Sequence, residues 1–284
     1  MILAKSRTLA KGPLTVQFRQ FVVNTFVGRG LLGNPAAVCL LDQWPEDATM
    51  LRIAEQNRYS ETAFVVQRAG ALELRWFTPL TEVDLCGHAT LAAAHVLATE
   101  VGEPPARLEF ATRSGTLPVA QLNDIISIRM PARSIVPSNI SPETLAPMIG
   151  HEPIGVFEAG PTVIALLATP ADVQSVVPVM EAIAAIPKNG LIVTAAGGGA
   201  DFSSRFFAPR IGMGEDPATG AAHTGLAPFW AQRLKKNKLH ARQLSPRGGE
   251  LFCSVLDDVV EVGGRVELYS EGVVTLTSSF LTDK

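Results

Sequence analysis

The chain has 284 residues, 47% of them hydrophobic, and a formal net charge of −3. This balance excludes the strongly basic surface that nucleic-acid-binding and membrane-surface proteins need. Its three cysteines, Cys39, Cys86 and Cys253, are too few and too far apart to indicate a disulfide framework or a zinc cluster. Because the sequence has neither an apolar leader core nor an apolar run of membrane-spanning length, it predicts a cytoplasmic protein with a well-buried core.

The first candidate site residues lie in two short segments near the start of the chain. "GNPAAV" (33–38) is a turn in front of an apolar strand, so Asn34 either stabilises the turn or hydrogen-bonds a ligand. "SETAF" (60–64) places Glu61 at the start of a strongly apolar strand. A carboxylate in apolar surroundings can exchange a proton near neutral pH, so Glu61 is a candidate acid–base residue. The alternative is a glutamate at a partly exposed strand edge.

A strand, a loop and a helix follow. "LELRWFTP" (72–79) alternates as a strand does, and the alanine-rich "ATLAAAHVLATE" (89–100) is typical of a helix. The first N–H groups of a helix have no partner within it, so the loop "CGHAT" (86–90) either holds a carboxylate or phosphate or simply caps the helix. His88 is then a proton carrier or a capping residue, and Cys86 is an acid–base thiol or an inert buried one.

The same order of elements recurs later in the chain. "SSRFFAP" (203–209) predicts a strand, and "ATGAAHTGLAPFWAQRLKK" (218–236) predicts a helix. The loop "EDPATG" (215–220) leads into this second helix, and Asp216 is either its N-cap or part of a second anion-binding loop. Two such loops in register favour one shared anion site.

The recurrence predicts a duplicated unit of roughly 130 residues. At a constant shift of 130, four pairs of like residues coincide, and the same shift places Cys86 on Asp216: Arg75 and Arg205, Trp76 and Phe206, Phe77 and Phe207, Pro79 and Pro209. A second match, "TRSGTLPV" (112–119) with "PRGGELFC" (246–253), has a shift of 134, which needs a four-residue insertion. The pattern predicts two halves with many strands around few helices and a cleft shared by the two helix starts.

The sequence carries none of the common cofactor or metal motifs. It lacks a glycine-rich dinucleotide fingerprint, a phosphate-binding P-loop, a zinc-protease helix motif and a serine nucleophile elbow. We therefore expect a reaction that needs no cofactor and no metal.

Five segments together resemble the PhzF-like family, the phenazine-biosynthesis isomerase family. They run in family order from about residue 20 to residue 255: "GLLGNPAAVCLLD", "SETAFVV", "WFTPLTEVDLCGHATLAAA", "SRFFAPRIGMGEDPATGAAH" and "QLSPRGGEL". The resemblance implies an α+β, diaminopimelate-epimerase-like fold with two pseudo-symmetric halves, each a mostly antiparallel sheet around a central helix. The two halves are expected at 13–130 and 131–284, with the last strand able to return to the first half, and residues 1–12 are expected to form a disordered extension.

The resemblance also implies the reaction and the site. The phenazine isomerase moves a hydrogen within dihydro-hydroxyanthranilate without a cofactor, and a glutamate carries the proton. Glu61 matches that glutamate, while His88 and Asp216 match the residues that hold and polarise the substrate. The expected substrate-binding set follows the quoted loops: Asn34, Cys86, Gly87, Ala89, Thr219, Gly220 and Ala221. The family often has serine at position 221, so this chain lacks a hydroxyl that the phenazine substrate would meet.

Three functions are therefore considered. The leading one is a cytoplasmic, homodimeric biosynthetic isomerase that acts on a small carboxylate and has no nucleic-acid or membrane partner. The second is an epimerase or racemase of an amino-acid-like substrate, with Cys86 and Asp216 as opposed acid and base. The third is a small-molecule binding protein that kept the fold and lost the chemistry, for which the alanine at 221 is the only sequence support.

Overall fold

The computed structural model describes residues 15–68, 70–102 and 108–281, so the extension predicted at 1–12 lies outside the described residues. The chain divides into two compact units. Unit 1 takes in the described residues of Met1–Thr25, Pro35–Ile126 and Val266–Lys284, and unit 2 those of Phe26–Asn34 and Ser127–Arg265. Within the described part of the chain, no helix has both the length and the apolar character to cross a membrane.

The first half of the chain contains eight strands and two α-helices among its described residues. In order they are β1 (Val16–Val27), β2 (Asn34–Leu41), α1 (Asp47–Asn57), β3 (Thr62–Arg68), β4 (Ala71–Phe77), β5 (Glu82–Val83), α2 (Gly87–Val96), β6 (Glu109–Thr112), β7 (Gly115–Leu122) and β8 (Ile125–Pro131). A π-helical turn, Leu97–Val101, continues α2.

The described residues of the second half form nine strands and five α-helices. In order they are β9 (Val136–Pro137), α3 (Pro142–Ile149), β10 (Gly155–Ala159), β11 (Thr162–Leu166), α4 (Pro170–Ser175), α5 (Met180–Ala185), β12 (Gly190–Ala196), β13 (Phe202–Ala208), β14 (Met213–Asp216), α6 (Gly220–Leu234), β15 (Lys238–Gln243), β16 (Gly249–Leu256), β17 (Val259–Leu276) and α7 (Ser278–Leu281). A 3₁₀ turn, Pro209–Ile211, separates β13 from β14.

The sheet of unit 1 is mixed and is packed against a buried helix. β2 pairs with β3 in parallel, β3 with β4 and β4 with β5 antiparallel, β4 with β6 in parallel, and β6 with β7 antiparallel. All residues of α2 except His95 are buried, and the helix packs against β3. An alanine-rich helix that is apolar all round suits this central position, because small side chains let a sheet approach closely.

Unit 2 repeats this connectivity strand by strand. β11 and β12 are parallel, β12–β13 and β13–β14 antiparallel, β13–β15 parallel, and β15–β16 antiparallel. Its buried helix is α6, which packs against β15 and β16. The predicted duplication and the α+β class with two similar halves are therefore confirmed.

A bidentate arginine–glutamate pair marks the same place in each repeat. Arg75 donates to Glu82 over 2.7 and 2.6 Å, and Arg205 donates to Glu215 over 2.6 and 2.9 Å. Phe77 is the strand partner of Glu82, as Phe207 is of Glu215. These pairs show which residues of the two loops correspond.

The correspondence corrects the predicted alignment of the loops. The link from Phe207 to Glu215 is three residues longer than that from Phe77 to Glu82, because it contains the 3₁₀ turn and a register shift in β13. From there to the helix starts, Gly87 and Gly220, the spacing is equal. Cys86 therefore corresponds to Thr219, and the prediction that it corresponds to Asp216 was wrong.

Two features of local structure go beyond what the sequence predicted. The last strand, β17, runs unbroken through 18 residues, and α7 follows it. The sequence predicted many strands around few helices, and four of the helices in the structure were not predicted: α1 in unit 1 and α3, α4 and α5 in unit 2. These helices cover a second apolar cluster in each unit, one around Met50, Phe64 and Phe77 and one around Leu145, Val193 and Phe207.

Candidate active site

The candidate residues of unit 1 come from two elements. Glu61 directly precedes β3, and Cys86 and His88 occupy the N-cap and second position of α2. All three side chains are buried, with residue exposures of 8%, 5% and 5%. The packing of α2 against β3 brings them together, so their donor atoms all lie within 4.8 Å of one another.

His88 lies between the other two residues. Its Nε2 is 3.4 Å from Oε2 of Glu61, and its Nδ1 is 3.5 Å from Sγ of Cys86. Burial lowers the pKa of His88 to about 3, so the imidazole is neutral at physiological pH. A neutral imidazole has one N–H and one acceptor nitrogen, so a thiol that donates to Nδ1 leaves the N–H on Nε2, which is 3.4 Å from the carboxylate but forms no hydrogen bond with it. The contact is therefore not an ion pair.

The N-cap position of Cys86 is fixed by its backbone. Its carbonyl accepts from the backbone N–H of Thr90 over 3.2 Å and from the Thr90 hydroxyl over 2.6 Å. The two other cysteines, Cys39 and Cys253, are buried in the cores of their own units, where desolvation raises the pKa of each thiol. Only Cys86, among the three, lies beside a carboxylate and an imidazole.

The candidate residues of unit 2 form a hydrogen-bonded cluster around Asp216, which is 3% exposed at the end of β14. The Nδ2 of Asn34 donates to Oδ1 of Asp216 over 2.8 Å and to the carbonyl of Ala218 over 2.9 Å. The Thr219 hydroxyl donates to Oδ2 of Asp216 over 2.5 Å. Asn34 thus acts on Asp216 through its amide nitrogen and begins β2 rather than a turn.

Gln243, the last residue of β15, was missed by the sequence analysis. It is fully buried; its Nε2 donates to the Asp216 carbonyl over 2.7 Å and to the Thr219 hydroxyl over 3.1 Å. Its Oε1 accepts from the Thr219 backbone N–H over 2.9 Å. The sequence did carry a signal for Gln243, because it falls on the inward phase of an alternating strand. A buried amide at such a position needs several hydrogen-bond partners.

The remaining predicted residues lie in the first turns of the two central helices. Gly87 and Ala89 belong to α2, and Gly220 and Ala221 belong to α6. The N-caps are Cys86 and Thr219, and neither caps its helix with a side-chain hydrogen bond. The alternative that Asp216 is an N-cap is therefore wrong, since Asp216 lies within β14. Helix starts of this kind suit a bound carboxylate.

The second repeat lacks counterparts of Glu61, Cys86 and His88 that could act as an acid or base. The pairing of β3 with β4 matches that of β12 with β13, so that Glu61 in the first repeat corresponds to Gly190 in the second. Cys86 corresponds to Thr219, and His88 to Ala221. None of these three counterparts is an acid or base near neutral pH.

Comparison with known proteins agrees with these motifs. A family model described as phenazine biosynthesis-like protein matches residues 23–277. The chain belongs to the phenazine biosynthesis-like (PhzF) family. It is 44% identical, over 93% of its own length and 100% of the relative's, to a protein of Pseudomonas aeruginosa named an uncharacterised isomerase.

Solved structures show the same fold. A PhzF-family protein of Enterococcus faecalis, 36% identical, has a TM-score of 0.87 over 91% of this chain and 99% of that one. A hydroxyproline epimerase of Agrobacterium vitis, 11% identical, has a TM-score of 0.56 over 92% and 93%, and this likeness concerns the fold alone. This PhzF-family chain therefore has the expected epimerase-like α+β fold.

Proposed function

We propose that the chain is a cofactor-independent isomerase that moves a proton within a small, carboxylate-bearing substrate. Glu61 takes a proton from one substrate carbon while the C–H electron pair shifts into adjacent unsaturation. The same carboxyl group then returns the proton to a different carbon. Atoms and electrons balance within the substrate, so the product is an isomer and no oxidant is needed.

The observation that carries this proposal is the contact of Glu61 with a neutral histidine. Oε2 of Glu61 is 3.4 Å from Nε2 of His88, and both side chains are almost fully buried. A neutral imidazole next to the carboxylate does not pair its charge, so the carboxylate keeps its basicity toward carbon. His88 is assigned to this role and to polarising the substrate.

Asp216 and the helix starts are assigned to orienting the substrate. The two donors on the Asp216 carboxylate, Asn34 and Thr219, hold its oxygens in fixed directions. First-turn N–H groups of a buried helix such as α2 are suited to the carboxylate of the substrate. Preorganised groups of this kind stabilise charge that develops during proton transfer.

The epimerase alternative lost its main support with the corrected alignment of repeats. A two-base epimerase of this fold class would use opposed residues at equivalent positions, and the equivalent of Cys86 is Thr219. A threonine hydroxyl is not an acid or base near neutral pH. The single carboxylate of Glu61 favours return of the proton by the group that removed it.

Proton NMR in deuterated water tests the proposal. The protein would be incubated with dihydro-hydroxyanthranilate, diaminopimelate, hydroxyproline and common amino acids. Exchange or conversion should fall by about 10²–10⁴-fold in Glu61→Gln. Glu55→Gln, an exposed glutamate on α1, is the matched control and should retain full activity.

Three outcomes would contradict the proposal. Full activity in Glu61→Gln on a converted substrate would remove Glu61 from the reaction. Exchange at an α-carbon that survives Glu61→Gln and disappears in Cys86→Ser would establish the epimerase instead. Tight binding of a panel compound without exchange would favour a binding protein.

A further inference from the structure

The three buried side chains of Glu61, Cys86 and His88 form a mixed oxygen, sulfur and nitrogen cluster. We propose that this cluster binds one zinc ion and that zinc thereby inhibits the enzyme. The inhibitory part rests on the proposed function, whereas the binding part depends only on the cluster. The ion is a regulator of the site and takes no part in the reaction.

The distances in the cluster are close to those of a zinc site. Zinc binds thiolate sulfur at about 2.3 Å and nitrogen or oxygen at about 2.0–2.1 Å, so neighbouring ligand atoms of a tetrahedral site lie roughly 3.4–3.6 Å apart. The Glu61–His88 and Cys86–His88 separations are 3.4 and 3.5 Å, although they involve different ring nitrogens. Because one atom from each residue lies within 4.8 Å of the others, a shift of about 1 Å lets all three reach one ion.

The charges of the cluster also suit a divalent ion. A carboxylate, a thiolate and a neutral imidazole carry two negative charges, which balance Zn²⁺ in a buried position. The thiol of Cys86 releases its proton to the solvent when the Zn–S bond forms. Three protein ligands leave the fourth tetrahedral position for water.

The ligand types select the ion. Thiolate and imidazole are preferred by zinc and by Co²⁺, whereas Mg²⁺ and Ca²⁺ require oxygen ligands. The residual exposure of 5–8% at each residue gives the ion a route from solvent. The counterpart residues of unit 2, Gly190, Thr219 and Ala221, offer neither thiolate, carboxylate nor imidazole, so the repeat predicts no second site at the equivalent position.

A bound zinc ion would stop proton transfer by occupying the atoms that perform it. The lone pair of Glu61 that accepts the substrate proton would be held in a metal–oxygen bond. His88 would likewise lose the nitrogen directed at Glu61 or at Cys86. We therefore expect inhibition that chelation reverses.

Titration of the purified, metal-free full chain with Co²⁺ tests binding without any substrate. One equivalent should bind and give a thiolate-to-cobalt charge-transfer absorption, and Zn²⁺ should displace it while Mg²⁺ and Ca²⁺ should not. Cys86→Ser should abolish this absorption, and His88→Gln should weaken Co²⁺ binding by more than about tenfold. His95→Gln, on the same helix, is the matched control and should bind as the wild type does. Thermal melts of each variant exclude misfolding.

Each outcome decides the proposal. Co²⁺ that binds without the thiolate absorption, or equally well in Cys86→Ser and His88→Gln, would overturn the site, as would no binding at micromolar metal. Binding at the site with undiminished isomerisation would overturn the inhibitory role alone. Binding with no isomerase activity on any substrate would support the zinc site and count against the proposed function.

Discussion

The amide nitrogen of Asn34 donates a 2.8 Å hydrogen bond to Oδ1 of Asp216, a residue 182 positions further along the chain. Both side chains are almost fully buried, at 0% and 3% exposure. A hydrogen bond from a neutral amide fixes the direction of a buried carboxyl group. The contact therefore makes Asn34 a positioning residue for Asp216, and its amide is the feature to change.

Replacement of Asn34 by aspartate should be more harmful than replacement by alanine. Asn34→Ala removes a buried hydrogen bond to the Asp216 carboxyl group and should lower kcat/KM by about 10–100-fold. Asn34→Asp adds a second carboxylate beside Asp216, and two adjacent carboxylates resist joint ionisation. Its deficit should shrink as the pH falls, because one shared proton restores an O–H···O hydrogen bond. Parallel pH–rate profiles for the two variants would contradict this expectation.

Loss of Gln243 should affect turnover more than folding. Its side chain holds both the Asp216 carbonyl and the backbone N–H of Thr219. Gln243→Ala frees the loop in front of α6, so we expect a fall in kcat of about tenfold or more, in line with the loss of one or two buried hydrogen bonds. Gln232→Ala, an exposed glutamine on α6, is the control. Equal kinetics for the two variants would remove Gln243 from the site.

The sequence predicted the parts of this site that lie within continuous motifs and missed those that depend on pairing. The segments around Glu61, His88 and Asp216 were recognisable because strand, loop and helix signals are local. The correspondence of Cys86 with Thr219 was not, because a bulge in β13 and the 3₁₀ turn move the loop by three residues relative to β4. Gln243 was missed for a similar reason, since its partners lie 24 and 27 residues away in sequence.

The stability of the chain should fall as the pH drops below about 6.5. Burial lowers the pKa of His88 to about 3 and that of His223 to about 4, from an ordinary value of 6.5. Between these values and 6.5 the unfolded chain binds protons that the folded chain does not, so the free energy of unfolding decreases as the pH decreases. Above about pH 8 neither histidine contributes to the slope.

His223→Gln isolates one of these contributions. Nδ1 of His223 lies 2.8 Å from the Thr219 carbonyl, so the variant should lose some stability at every pH. Its urea-derived free energy of unfolding should nevertheless depend less steeply on pH between 6.5 and 4 than that of the wild type. A uniformly lowered curve of unchanged slope would show that the residue acts through packing alone.

Substitution of Gly190, the counterpart of Glu61 in the second repeat, by any residue with a side chain should destabilise the protein. A Cβ atom on Gly190 would lie 2.6 Å from Cε2 of Phe206 and 2.7 Å from the carbonyl oxygen of Phe207. The backbone atom cannot move away without breaking the pairing of β12 with β13, so Gly190→Ala should destabilise the chain by about 1–3 kcal/mol. Gly214→Ala is the control, because no atom lies within 4 Å of its added Cβ.

The same steric argument accounts for the lack of a second carboxylate at the position equivalent to Glu61. Gly190→Glu would restore a carboxylate at the position equivalent to Glu61, but its side chain would start from the crowded Cβ just described. We expect this variant to melt at a lower temperature than Gly190→Ala and to gain no α-carbon exchange in deuterated water. A stable Gly190→Glu protein that epimerised an amino acid would show that the second repeat can accept an acid and that sterics do not enforce the single-base arrangement.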